Sequence, residues 1–179
     1  KYNLEDCKLT VMDKWLLSRL NTMVFEVDNN LENYRIPEAA RALQEFVDDM
    51  SNWYVRRGRE RYWVQGENDD KTAAYMTLYT ALVTTAKAAA PMIPFMTEDI
   101  YQNIVCNVDK AAPESIHLCD FPDVQEKYID KNLEYSMNKV LDIVVLGRAA
   151  RNGSNIKNRQ PLGNMYVKTE KALDDVYVE

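Results

Sequence analysis

The spacing of apolar residues is the feature that most limits how this chain can fold. Leu16, Leu20, Val24 and Val27 recur every three or four positions, which places them on one face of an α-helix. Thr10, three residues before an aspartate, has the spacing of a helix-capping pair. Together with similar spacing elsewhere, this apolar pattern predicts five helices, over residues 10–34, 37–63, 71–90, 94–105 and 124–150. The apolar stripe of the third helix consists of Tyr75, Leu78, Leu82, Ala86 and Ala89.

The connections between these helices are short. Short connections between long amphipathic helices make neighbouring helices antiparallel, so the predicted fold is mainly α, an up-and-down helical bundle. Asp69 or Asp70 is placed to cap the third helix, and Gly153 is predicted to end the fifth in a left-handed conformation. Residues 155–162 are predicted to be an extended connector, residues 115–119 a short extended segment or edge strand, and residues 164–168 a strand.

Composition limits the class of protein further. The chain has 179 residues, a net charge of −6 and three cysteines, none of them in a C-x-x-C pair. We therefore expect reduced thiols, no zinc site and a cytoplasmic location. No apolar run approaches the roughly 20 residues that cross a bilayer, and the first residues lack a signal-like apolar stretch, so no membrane partner is expected.

The chemistry that marks an active site is missing from the sequence. His117 is the only histidine, and no glycine-rich phosphate loop, nucleophile elbow or His/Cys cluster is present. Glu98 and Asp99 are adjacent on a predicted helix and so point in different directions. We predict neither a catalytic residue nor a metal ligand in this chain.

One segment combines cations and aromatic rings in a way typical of RNA-binding proteins. Guanidinium groups bind phosphates, bidentately where the geometry allows, and aromatic rings stack on unpaired bases. On one continuous helix, one face would carry Trp53, Arg57 and Arg61, and a neighbouring face would carry Arg56, Arg59 and Trp63. The predicted RNA-binding residues of this segment are Trp53, Arg56, Arg57, Arg59, Arg61 and Trp63.

The same residues also allow a purely structural interpretation. In that case the tryptophans belong to the core, and the arginines pair with Asp48, Asp49 or Glu60. The residues alone leave both interpretations open, and they do not say which of Trp53 and Trp63 is buried.

A second basic segment lies at the end of the last predicted helix. Cations there also complement the helix dipole, which explains Arg148 and Arg151 well but explains Lys157 and Arg159 poorly. Lys157 and Arg159 are therefore added to the predicted RNA-binding residues.

Four segments of the chain are distinctive in sequence. Residues 52–57 read N-W-Y-V-R-R, residues 90–101 read A-P-M-I-P-F-M-T-E-D-I-Y, residues 114–122 read E-S-I-H-L-C-D-F-P, and residues 151–162 read R-N-G-S-N-I-K-N-R-Q-P-L. In this order the four segments resemble those of isoleucyl-tRNA synthetases. The second segment is shared with valyl and leucyl enzymes, whereas the first and last favour the isoleucyl family. The resemblance spans roughly residues 10–165.

The resemblance implies the anticodon-binding domain of a class I synthetase, with isoleucine tRNA as its partner. It implies ATP and magnesium, and zinc in some members, as requirements of the parent enzyme rather than of this chain. Because the HIGH and KMSKS signatures are missing, we expect no catalysis from this chain. The catalytic Rossmann domain of the same polypeptide is an expected partner, and the chain itself is expected to be monomeric.

The family also implies how the chain divides. Residues 1–162 are expected to form the helical domain, and residues 163–179 the beginning of a small α/β appendage that is cut short. Two alternatives to isoleucine tRNA recognition stay open. The chain is a valyl or leucyl relative, or the bundle serves mainly to brace the catalytic domain or to dock other proteins.

Overall fold

The computed structural model describes residues 2–168. The described residues form six α-helices, joined by turns, short 3₁₀ segments and two π-helical segments. The α-helices are α1 (Val11–Glu32), α2 (Ile36–Asp48), α3 (Arg59–Trp63), α4 (Asp69–Ala89), α5 (Pro94–Tyr101) and α6 (Lys131–Gly153). The predicted helical bundle is confirmed, and the described residues contain no β-strand.

Helix α1 follows the prediction closely. Its N-cap, Thr10, accepts a hydrogen bond from the Asp13 N–H, and the Asp13 carboxylate accepts one from the Thr10 N–H in return, which completes a capping box. At the other end Tyr34 adopts a left-handed conformation with φ of 56°. The Arg35 N–H then donates to the Asn30 carbonyl at 2.8 Å, as in a Schellman motif.

The second predicted helix is not continuous. Helix α2 ends at Asp48 and passes into a π-helical segment, Asp49–Val55, in which the Arg56 N–H donates to the Ser51 carbonyl. A π-helical turn holds more residues than an α-helical one, so the faces of the helix shift at this point. Gly58 then interrupts the helix before α3 begins.

Helix α4 buries part of the face that the sequence predicted. Of its predicted stripe, Ala86 and Ala89 are buried, whereas Tyr75 is half exposed. Ala73, Ala74 and Ala81 are buried as well. The small side chains let α4 pack closely on α1, and α4 also contacts α5. The cap is Asn68, which accepts from the Lys71 N–H, and not Asp69 or Asp70.

The predicted strand at residues 115–119 is wrong. Ile116–Leu118 forms a 3₁₀ turn capped by Ser115. The Glu98 carboxylate holds this turn, because it accepts hydrogen bonds from the Ser115 hydroxyl at 2.9 Å and from the Ile116 N–H at 3.0 Å. These bonds give α5 a fixed position relative to the loop that follows it.

The core of the bundle is centred on α1. Its buried residues pack with Phe46, Met50, Tyr54 and the small face of α4, and a second cluster surrounds Tyr101. The fully buried apolar side chains of α1 are Trp15, Leu16, Leu17, Leu20, Met23, Val24 and Val27.

The chain divides into two compact units, Lys1–Ile129 and Asp130–Glu179. In the second unit α6 begins at Lys131, capped by Asp130, instead of near residue 124. Gly153 is the last helical residue, and Asn155, with φ of 56°, takes the predicted left-handed position. Residues 164–168 are not a strand. The domain boundary after residue 162 and the α/β appendage stay predictions, since residues 169–179 lie outside the described part.

Candidate nucleic-acid interface

Three arginines of the predicted RNA-binding segment are exposed. Arg56 and Arg57 follow the π-helical segment, and Arg59 begins α3. None of the three pairs with an acidic side chain among residues 2–168. Their guanidinium groups are therefore available to an anionic ligand, and the alternative that Asp48, Asp49 or Glu60 neutralises them is not what the structure shows.

Trp63 lies beside these cations and faces solvent. It is 73% exposed, and the Arg59 guanidinium carbon lies 5.3 Å from its ring centroid, within the range of a cation–π interaction. Trp53, in contrast, is partly buried. The structure therefore answers which of the two tryptophans packs inward, and it leaves the Trp63 ring free to stack on a base.

Arg61 points the opposite way. Only 18% of its side chain is exposed, and its Nη1 and Nη2 donate to the two carboxylate oxygens of Asp13 at 2.8 and 2.9 Å. Its Nε donates to the Asp70 carboxylate at 3.0 Å. Nearly all the donors of this guanidinium group are thus used within the protein. The prediction that Arg61 shares an outer face with Arg57 is wrong, because the helix is interrupted between them.

Asp13 is the fully buried acceptor of this network. Burial on its own raises the pKa of its carboxyl, but hydrogen bonds from Arg61, Tyr54 and Thr10 outweigh burial, and the pKa is lowered. Burial, and then the bond to Asp13, raise the pKa of the Tyr54 hydroxyl. Both groups therefore keep the protonation states that the ion pair requires at neutral pH.

Gly58 explains how the chain turns Arg61 inward. A Cβ atom at this position would lie 2.9 Å from the backbone carbonyl oxygen of Tyr54, closer than carbon and oxygen tolerate. The Gly58 N–H donates to that same carbonyl at 2.8 Å. Glycine thus permits a close backbone approach at the junction of the π-helical segment and α3, within the candidate site and between Arg57 and Arg59.

Lys157 and Arg159 belong to the second unit. Both side chains are exposed, and neither makes an ion pair with a described residue. Arg151, at the end of α6, donates from Nη1 to backbone carbonyls of the turn that carries them. The two predicted cations are therefore presented on a structured turn rather than on the extended connector that the sequence indicated.

One surface feature was not predicted from the sequence. Helices α2, α4 and α5 border an apolar groove of about 440 Å³. Its walls include Leu43, Val47, Leu82, Met96 and Ile100. The sequence does carry a signal for this groove. Apolar residues surround the two prolines at positions 91 and 94, and the turn between α4 and α5 leaves several of them exposed, such as Ile93 and Met96.

Two further observations concern residues 2–168 only. No helix among them is both long enough and apolar enough to cross a membrane. No three histidine, cysteine, aspartate or glutamate side chains are grouped so that they could hold a metal ion.

A helical bundle with unpaired guanidinium groups beside an exposed indole has the features of a helical nucleic-acid-binding domain. Residues 13–167 match the family model of the anticodon-binding domain of tRNA ligase. The chain belongs to this family, and the resemblance found in the sequence is confirmed.

Similar proteins place the chain more narrowly. It is 56% identical to an isoleucine–tRNA ligase of Clostridium acetobutylicum over 99% of the chain and 17% of that protein. It is 44% identical to the Bacillus thuringiensis enzyme of the same name, over 89% of the chain and 15% of that protein. With the Methanothrix thermoacetophila enzyme it shares 42% identity, over 90% of the chain and 16% of that protein. The chain spans about a sixth of the length of these relatives.

Proposed function

We propose that this chain is the anticodon-binding domain of an isoleucine–tRNA ligase and that it binds the anticodon stem-loop of isoleucine tRNA. The observation that carries the proposal is the set of unpaired guanidinium groups beside exposed Trp63 in a member of this family. The names of the similar proteins support isoleucine over valine or leucine as the amino acid.

The geometry supports a separate role for each residue. Arg56, Arg57 and Arg59 bind backbone phosphates, since their charges face solvent and lack protein partners. Trp63 stacks on an unpaired base, and Arg59 fixes the orientation of its ring. Arg61 supports the segment from within.

Three further residues have less direct roles in this proposal. Trp53, being partly buried, offers at most one edge to the RNA. Lys157 and Arg159 supply a second set of phosphate contacts.

The whole ligase would carry out chemistry that these residues do not. It would join isoleucine to its tRNA with ATP and magnesium in a catalytic Rossmann domain of the same polypeptide, and zinc would be bound elsewhere in those members that use it. This chain's part is to hold the anticodon arm, which orients the distant acceptor end of the tRNA. No residue described here is assigned a step in that reaction.

Titration of labelled isoleucine tRNA with the chain at two salt concentrations tests the proposal, with a non-cognate tRNA beside it. Each phosphate contact adds roughly 0.7–0.9 to the slope of log affinity against log salt. Arg57→Glu should weaken binding by about tenfold or more, because a charge-assisted hydrogen bond contributes about 1.5–3 kcal/mol. Trp63→Ala should weaken binding by at least about fivefold through lost stacking.

Arg41→Glu is the matched control for charge. Arg41 is an exposed arginine of α2 that lies outside the candidate segment, so its reversal changes the net charge equally. Equal losses for Arg41→Glu and Arg57→Glu would mean that only net charge matters. Salt-insensitive or undetectable binding by the unmodified chain would contradict the proposed function.

The apolar groove supports a second, compatible role. We propose that it packs against the catalytic part of the same polypeptide, because the similar proteins are about six times as long as the chain. Met96 lines the groove and is largely exposed. Exposed positions normally tolerate substitution within about 0.5 kcal/mol, so Met96→Ser should hardly change the stability of this chain alone.

The test is a chimaera in which this chain replaces the matching part of the Clostridium acetobutylicum enzyme. Met96→Ser should lower the thermal unfolding temperature of the chimaera but not of the isolated chain. Phe25→Ser is the control, since Phe25 is an exposed residue of α1 that does not line the groove. Equal effects of Met96→Ser in the chimaera and in the isolated chain would rule out this packing role.

A further inference from the structure

The chain reverses sharply where α6 ends. Asn155 takes the left-handed conformation, its N–H donates to the Asn152 carbonyl at 3.1 Å, and the Ile156 N–H donates to the Arg151 carbonyl at 2.9 Å. These are the two hydrogen bonds of a Schellman motif. The backbone of Arg151 therefore fixes the direction in which the chain leaves the helix.

The side chain of Arg151 holds the residues that follow. Its Nη1 donates to the Gln160 carbonyl at 2.8 Å and to the Lys157 carbonyl at 3.1 Å, while the Asn158 carbonyl is farther away at 3.5 Å. The Gln160 N–H donates to the Lys157 carbonyl at 2.9 Å and closes the turn. One guanidinium nitrogen thus gathers both ends of a four-residue turn.

A dipole interaction does not account for this geometry. A cation near a helix C-terminus is stabilised by its charge alone, so lysine would serve as well as arginine. The Arg151 guanidinium instead points past the helix end, to carbonyls six and nine residues later in the chain. Its planar group holds the N–H directions fixed, so less conformational freedom is lost per hydrogen bond than with an ammonium on a flexible stem.

We infer that Arg151 is a positioning residue for RNA binding, which folds the turn at residues 157–160 so that Lys157 and Arg159 are presented together. The inference rests on the proposed function, in which these two cations bind tRNA phosphates. Without Arg151 the turn would have to be ordered at the moment of binding, and the lost conformational entropy would weaken the affinity.

Two measurements on the whole chain test this role, with Arg151→Ala as the main variant, because alanine removes every donor of the side chain. The first is the amide hydrogen-exchange rate of Gln160, measured by NMR without RNA. If Arg151 holds the turn, Arg151→Ala should speed exchange at Gln160 by about tenfold. The second is the affinity for labelled isoleucine tRNA at two salt concentrations, which should fall by about tenfold.

Arg41→Ala is the matched control. It removes the same side chain and the same charge at an exposed arginine outside the proposed RNA-binding residues, and that arginine contacts the Glu38 carboxylate rather than backbone carbonyls. Its affinity should stay within about threefold of that of the unmodified chain, and exchange at Gln160 should not change. Arg151→Lys should speed exchange at Gln160 less than Arg151→Ala does, because its ammonium group can still donate to a carbonyl.

The outcomes separate this inference from the proposed function. Unchanged exchange at Gln160 in Arg151→Ala overturns the positioning role whatever the RNA data show. A loss of affinity no larger than that of Arg41→Ala assigns the loss to net charge and overturns it too. Fast exchange with unchanged affinity shows that the turn is held but does not serve RNA binding, which also overturns the inference. If the unmodified chain does not bind isoleucine tRNA, the proposed function fails directly, and this inference fails with it even where the exchange data show a held turn.

Discussion

Asp13 and Arg61 lie 48 residues apart in the chain and form a two-pronged ion pair, with N–O distances of 2.8 and 2.9 Å. The same carboxylate completes the capping box of α1 through Thr10. The pair therefore ties the beginning of the central helix to the arginine-rich segment. Because Arg61 is bound to Asp13, the segment is anchored there, and the guanidinium groups of Arg57 and Arg59 lie at the surface without acidic partners among the described residues.

Loss of Arg61 should destabilise the fold rather than only weaken RNA binding. Arg61→Ala would leave the buried Asp13 carboxylate without its cation, and breaking a buried ion pair costs about 3–5 kcal/mol. We expect a loss near the lower end, since Tyr54 and Thr10 still donate to Asp13. Urea unfolding followed by circular dichroism measures this loss of stability. Arg57→Ala is the control, and it should change the free energy of unfolding by less than about 0.5 kcal/mol. Similar losses for both variants would contradict this account.

The same pair predicts how stability depends on pH. The folded state lowers the pKa of Asp13 below its ordinary value of 3.8. A carboxyl of this kind stabilises the fold fully above its unfolded pKa, and the contribution is lost as the pH falls through the lower, folded-state value. The stability difference between the unmodified chain and Asp13→Asn should thus be constant from pH 7 to 5 and shrink below about pH 4.

Urea unfolding of both proteins at pH 7, 5 and 3 checks this prediction. The comparison with Asp13→Asn is necessary because Asp49 acts in the opposite direction. Burial raises the pKa of Asp49 in spite of its bond to Arg19, so acidification removes an unfavourable charge there. Asp49 is present in both proteins and its contribution cancels. A difference that stays the same at pH 3 would show that the Asp13 charge does not matter.

Local sequence signals predicted much of the fold. The apolar spacing located α1 to within two residues at each end, and the Thr10–Asp13 pair proved to be a true capping box. The face that α4 buries was predicted only in part: Ala86 and Ala89 are buried as expected, but Tyr75 was taken for the core and is half exposed. The structure instead uses small residues, which bring two helices close together. Periodicity counts apolar residues, but it does not register how near a neighbour can approach.

The candidate site was harder to predict than the helices. The sequence singled out residues 53–63 as the RNA-binding segment, which stays a prediction, but it assumed one uninterrupted helix from residue 37 to 63. The π-helical segment and Gly58 change which side chains face outward, and they turn Arg61 toward Asp13. No local pattern reveals a partner 48 residues away. The structural role of Arg61 therefore depends on tertiary contacts that only the folded chain displays.

Gly58 should not tolerate a side chain even though it lies in a mostly helical region. Alanine has a helix propensity about 1 kcal/mol better than glycine, so Gly58→Ala would stabilise an ordinary helix. Here the new Cβ would lie 2.9 Å from the Tyr54 carbonyl oxygen, and the backbone would have to move. We expect a net loss of about 1–3 kcal/mol, the usual range for overpacking. Gly153→Ala is the control, since its Cβ would meet no atom within 4 Å. A gain in stability from Gly58→Ala in urea unfolding would show that the close approach is not needed.

Tyr34 should respond in the opposite way, because it is a bulky residue in a position that favours glycine. Its φ of 56° places it in the left-handed region, which costs an ordinary residue roughly 1–2 kcal/mol relative to glycine. Its ring is 91% exposed, so little packing is lost when it is removed. The greater flexibility of glycine in the unfolded chain offsets part of the gain. Tyr34→Gly should therefore raise the free energy of unfolding by about 0.5–1 kcal/mol. Tyr34→Ala is the control, because it keeps the Cβ atom and should not raise the free energy of unfolding. If both substitutions raised it equally, the effect would come from removal of the exposed ring rather than from the backbone.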